Sequence, residues 1–118
     1  MRTTIGVKLI GFVLLLQMAS AAEDPAVVAG TVFRDPGFAL PQAEVVLTVK
    51  AAPQGAKVPK SQKYTTNQRG EFMFHVPPVK AEYLLTAKSK GFAAEEKVAV
   101  VSGGPERVDV YFMLKPLQ

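Results

Sequence analysis

Between Ala26 and Leu114 run after run brings apolar residues back at every second position, and three-to-four spacing never holds long enough to make a helix. Side chains of a strand point alternately to opposite sides. The alternation therefore places Ala43, Val45, Leu47 and Val49 on one face of their run. Phe72, Phe74 and Val76 share a face, as do Tyr83, Leu85 and Ala87, and Val108, Val110, Phe112 and Leu114. Seven runs have this strand character: Ala26–Phe33, Ala43–Lys50, Ser61–Thr66, Glu71–Val76, Glu82–Lys88, Glu95–Val101 and Arg107–Leu114. Turn residues separate them, in "RDPG", "NQRG", "SKG" and "SGGP". A strand with one apolar face buries it against another sheet, and each large side chain so buried contributes on the order of 1.5–3 kcal/mol. The expected fold is all-β, a seven-stranded Greek-key sandwich of the immunoglobulin-like or transthyretin-like kind. Ala51–Lys60 has linker-like composition but suits a hairpin or a crossing between sheets.

The chain begins differently. Arg2 and Lys8 precede the apolar run Leu9–Leu16, and Ala19–Ala21 form a small-residue exit, the three parts of a secretory signal. The uncharged stretch Leu9–Ala22 is 14 residues, short of the roughly 20 that span a bilayer as a helix. Residues 1–22 are thus expected to be a signal-peptide helix, cleaved on export without leaving a stable anchor. Residues 23–118 are expected to be the domain. The expected location is periplasmic or extracellular. The absence of cysteine removes disulfides, thiolate ligands and a lipid-anchor site, so the core alone must hold the fold. Cleavage before Glu23 leaves 12 basic against 10 acidic residues. Such a balance, with scattered lysines, argues against a nucleic-acid partner.

Within "TTNQRGEFMFHVPP", Thr65–Pro78, each residue has a folding task. Asn67 starts a turn, Gly70 supplies a positive φ for a reversal between paired strands, Phe72 and Phe74 enter the core, and Pro77 and Pro78 end the ladder. These pieces resemble the carboxypeptidase regulatory-like domain, a transthyretin-like sandwich family. Val28, Gly30 and Val32 match its first strand, Gly37 its first turn, and Pro41, Ala43 and Val45 its second strand. Thr66, Asn67, Gly70 and Phe72 match its Thr-Asx hairpin, with Asn67 where Asp is commoner. Tyr83, Leu85 and Ala87 match its Tyr-x-Leu-x-Ala strand, and Gly91 and Phe92 its Gly-aromatic pair. The resemblance implies an accessory module of packing or binding role, of the kind appended to carboxypeptidases, outer-membrane receptors and surface proteins.

Catalysis finds no support in the residues. His75, the one histidine, lies opposite Phe72 and Phe74 on the outer face, without ligand-spaced companions. Ser61, Ser89 and Ser102 stand in no nucleophile motif. The Tyr-Arg-Gly-Ser tail of the related ureide hydrolase is missing. The first strand has no lysine for the Lys–Asn crosslink of some adhesin stalks. "RDPG" and "NQRG" read as turns rather than calcium loops. No enzyme, cofactor or metal is expected. Val46, Met73, Leu84, Tyr111 and Met113 fall on outer positions and form an apolar partner-binding patch if their strands are neighbours. The leading expectation is an exported non-catalytic module that binds a protein or polypeptide. The alternatives are a carbohydrate-binding module using Tyr64 and Tyr111, or a purely structural envelope spacer.

Overall fold

The computed structural model describes residues 24–117. The expected signal segment, residues 1–22, lies outside the described residues. Eight strands succeed one another: β1 (Ala26–Arg34), β2 (Phe38–Ala39), β3 (Glu44–Ala51), β4 (Ser61–Thr65), β5 (Glu71–Val76), β6 (Ala81–Lys88), β7 (Glu95–Val101) and β8 (Arg107–Leu114). No helix occurs among the described residues.

Two sheets form the sandwich. In the first, β1 is central. Along one side β8 runs parallel to it, from Val27↔Arg107 to Arg34↔Leu114. Along the other side β5 pairs antiparallel, from Ala26↔Val76 to Thr31↔Glu71, and β2 continues that side with Phe33↔Ala39 and Arg34↔Phe38. The second sheet is antiparallel in the order β4-β3-β6-β7, with a register shift between Val49 and Ala51. Non-consecutive neighbours such as β3 and β6 mean that the chain crosses repeatedly between layers.

The inner faces are those the alternation assigns. Val28, Val32, Phe72, Phe74, Phe112 and Leu114 of the first sheet meet Val45, Leu47, Tyr83, Leu85 and Val101 of the second, all buried. The Phe72 ring lies 5.9 Å from that of Phe74 and 6.0 Å from that of Phe112, both tilted, as aromatic quadrupoles favour. Gly30, beneath Phe72, admits no side chain. A Cβ there would fall inside the Val110 carbonyl of β8 and 3.1 Å from the Phe72 ring.

Two expectations need correction. The two-residue β2 makes eight strands rather than seven, and it is too short to show an alternation. The turn at 66–70 does not join paired strands, because β4 pairs with β3 and β5 with β1; it carries the chain from the second sheet to the first. Its chemistry is nonetheless the one expected of Asn67 and Gly70. Arg69 and Glu71 N–H groups donate to Asn67 Oδ1 at 2.9 and 3.0 Å, and Gly70 has φ 75°. Gly70 also packs on β1, where a Cβ would stand 2.5 Å from the Val32 carbonyl oxygen. The loop at 52–60, by contrast, closes a hairpin within the second sheet.

Candidate docking face

Four strands build the outer face of the first sheet, and their register fixes its layout. One row reads His75, Val27, Arg107; the next Met73, Ala29, Asp109; the next Glu71, Thr31, Tyr111; and the last Ala39, Phe33, Met113. Tyr111 is 54% exposed, and Met73 and Met113 are each 39% exposed. Phe33 is half-buried between Ala39 and Met113, and Ala29 is buried although it points outward, because its larger neighbours cover it. The face is thus apolar along a diagonal and charged at its corners. There Arg107 Nε donates to Asp109 Oδ1 at 3.0 Å, and Asn67 Nδ2 donates to Glu71 Oε1 at 3.1 Å. Met113 N–H, on the free side of β8, donates to Glu95 Oε1 at 2.9 Å.

A depression of about 360 Å³ opens on this side of the molecule. Tyr64, Glu71, Met73, Arg107 and Tyr111 line it, over the backbone of Ala29 to Thr31. Tyr64 comes from the edge strand β4 and meets the Phe74 ring edge-on, with centroids 6.0 Å apart. His75 is exposed, and its carbonyl accepts from Gln62 Nε2 at 3.2 Å. Among the described residues, no three His, Cys, Asp or Glu side chains gather as a metal site would require.

The five outer positions do not form one patch. Val46 and Leu84 lie on β3 and β6, so they belong to the outer face of the second sheet, on the far side of the core from Met73, Tyr111 and Met113. Both are half-buried. Their neighbours there include Val98, paired with Leu84, and Val100, paired with Glu82; the two valines are 43% and 54% exposed. Reading the sequence alone missed these valines, although inward Ala99 and Val101 leave them no other face. Beside Val46, Glu44 bridges Lys63 at 3.3 Å and Lys88 at 3.4 Å. The Lys63 ammonium, with help from Lys88, holds the Glu44 carboxyl below the usual glutamate range against an opposing effect of desolvation. Phe38 is exposed, with the Arg34 guanidinium 5.3 Å above its ring.

Sequence comparison decides the family: the profile of the carboxypeptidase regulatory-like domain matches residues 27–113. The chain belongs to this family. No curated protein matches the sequence. Among solved structures, this carboxypeptidase regulatory-like domain is similar to 3-chlorocatechol 1,2-dioxygenase from Rhodococcus opacus 1CP, with TM-score 0.62 and 11% identity over 83% of this chain and 62% of that one. It is also similar to catechol 1,2-dioxygenase from Acinetobacter sp. ADP1, with TM-score 0.60 and 12% identity over 85% of this chain and 55% of that one. The dioxygenase domain of a dioxygenase–carbohydrate-binding protein fusion from Streptomyces sp. SirexAA-E gives TM-score 0.62 and 12% identity over 84% of each chain. The domain spans less than two thirds of the first two enzymes. At such identities the likeness is one of fold.

Proposed function

We propose that this domain is an exported, non-catalytic accessory module that binds a protein or polypeptide partner through the outer face of its first sheet. One observation carries the reading: Met73, Tyr111 and Met113 stand exposed together on that face, around Phe33 and Ala29. Tyrosine supplies rigid contact area with a polar tip, and methionine adapts to an irregular partner surface. Arg107, Asp109 and Glu71 surround them with charge, the usual rim of an interface. The leader at residues 1–22 supports export, and the family supports an accessory role.

The experiment is affinity capture from an envelope fraction with the wild-type domain, Tyr111→Ala and Thr86→Ala, the last a control on the opposite face, where Thr86 pairs with Glu96. Tyr111→Ala is expected to lose the partner, by about 2 kcal/mol or more if this tyrosine is a central anchor, and Thr86→Ala to retain it. If Tyr111→Ala captured the wild-type set undiminished, this face would not be the interface.

The depression between Tyr64 and Tyr111 favours a second reading, a glycan held by aromatic and hydrogen-bonding side chains. Affinity electrophoresis in soluble polysaccharides separates the two. Retardation that Tyr64→Ala abolishes would support the glycan.

A further inference from the structure

The β3–β4 hairpin carries a charge pattern that partner binding on the first sheet leaves unused. From Lys50 to Gly70 the sequence holds no acidic residue and five basic ones, Lys50, Lys57, Lys60, Lys63 and Arg69. Lys63 is taken up by Glu44, and Arg69 belongs to the turn at the opposite end. Lys50, Lys57 and Lys60 are exposed on or beside the loop at 52–60, and exposed Lys80 joins them from the β5–β6 turn. Strand directions bring all four to one end, since β3 finishes there at Ala51 and β4 and β6 begin there at Ser61 and Ala81. Among the described residues none of the four lysines enters an ion pair. The carboxylates at this end are Asp24, Glu82 and Glu106, and Glu106 already accepts from the Ser102 N–H at 3.1 Å.

Two further features share this end. An apolar cleft of about 300 Å³ opens beside the lysines, lined by Ala51, Pro53, Ala81 and Val100 together with Lys80 and Glu82. Exposed Val98 and Val100 continue it onto the outer face of the second sheet.

Lysines interleaved with alanine, proline and valine suit a bilayer interface. Their ammonium groups sit among phosphates, while the apolar side chains reach the acyl boundary. We propose that this end of the sandwich rests on an anionic phospholipid surface, with Lys50, Lys57, Lys60 and Lys80 at the headgroups and Val98 and Val100 beneath them. A soluble polyanion would engage the lysines but gain nothing from the valines and the cleft. Each lysine near such a surface contributes about fivefold to partitioning, so loss of three costs about a hundredfold.

Among the described residues the core lies wholly within Ala26–Leu114, so the chain from Asp24 onward serves for the test. Its co-sedimentation is measured with vesicles of phosphatidylglycerol mixed with phosphatidylcholine, and with phosphatidylcholine alone. Binding is expected only to the mixed vesicles, weakened at least about tenfold by high salt. Lys57→Ala/Lys60→Ala/Lys80→Ala should lose about a hundredfold, and Val98→Ser/Val100→Ser should lose part at unchanged charge. Urea unfolding of each variant confirms that the sandwich persists. Equal binding to neutral vesicles, binding to neither, or an undiminished lysine variant would overturn the proposal. So would capture by dextran sulfate with the valine variant unaffected on vesicles, which would assign the lysines to a soluble polyanion.

Discussion

At the scale of single residues, the fold depends on one position where nothing fits and tolerates one where something is left over. Gly30 sits between β5 and β8 with the Phe72 ring above it, and a methyl group would collide with the Val110 carbonyl. A flexible side chain could move aside, but a paired backbone carbonyl can do so only by parting β8 from β1. Gly30→Ala is therefore expected to destabilise at the upper end of the ~1–3 kcal/mol range of overpacked sites. It should appear as a lower urea midpoint with little change in slope. This glycine is legible in the sequence as a break in an apolar strand. Its reason is not, since the obstructing carbonyl lies 80 residues away, at Val110. Tyr83 is the opposite case: fully buried, its hydroxyl meets no hydrogen-bond partner among the described residues. Burial raises its pKa, because a phenolate would lack both solvent and partner there.

At the scale of elements, alternation assigned the inward faces of β3, β5, β6 and β8, because those strands are long and each buries one side only. It failed where it had no purchase. β2 has two residues, too few for a period. The turn residues at 66–70 determine a local backbone but not which strands it joins, so a crossing between sheets read as a hairpin. Thr66 shows how that crossing is held. Its Oγ1 donates to the Leu40 carbonyl at 2.8 Å and accepts from the Ala43 N–H at 2.8 Å, within the buried side of the turn. Gln42 N–H donates to the Thr66 carbonyl at 3.1 Å, and Thr66 N–H to that of Ala43 at 2.9 Å. The motif residue next to Asn67 thus ties the start of β3 to the end of β4. Thr66→Val keeps the shape but orphans a buried donor and acceptor, and is expected to cost ~1–3 kcal/mol. Thr66→Ser should restore most of it, as thermal denaturation of the two variants will show.

At the scale of the whole molecule, the candidate site was only half legible. Outer positions can be read from alternation, but their distribution between two sheets depends on pairings that adjacent sequence does not encode. Val46 and Leu84 therefore separated from Met73, Tyr111 and Met113. Charge across the molecule sets the pH limits of the fold. Glu44 has a lowered pKa, so its contribution is complete above the ordinary glutamate value near 4.3 and is lost as pH falls through its folded value. Tyr83 has a raised pKa, so its contribution is complete below about 10 and is lost as pH rises through its folded value. The melting temperature should be level through neutrality and fall on both sides, and Glu44→Gln should flatten the acid limb. Thermal melts in low salt check this, with high salt shrinking the difference on that exposed face. The parallel union of β1 with β8 has a further consequence, for the timing of folding. The strand at the centre of the first sheet takes one neighbour from 80 residues downstream, as in Val28↔Val108, so during synthesis it waits, with one edge bare, until β8 has left the ribosome. A nascent chain arrested before β8 holds every other strand of the sandwich and still cannot complete its first sheet, the delay that non-local pairing imposes.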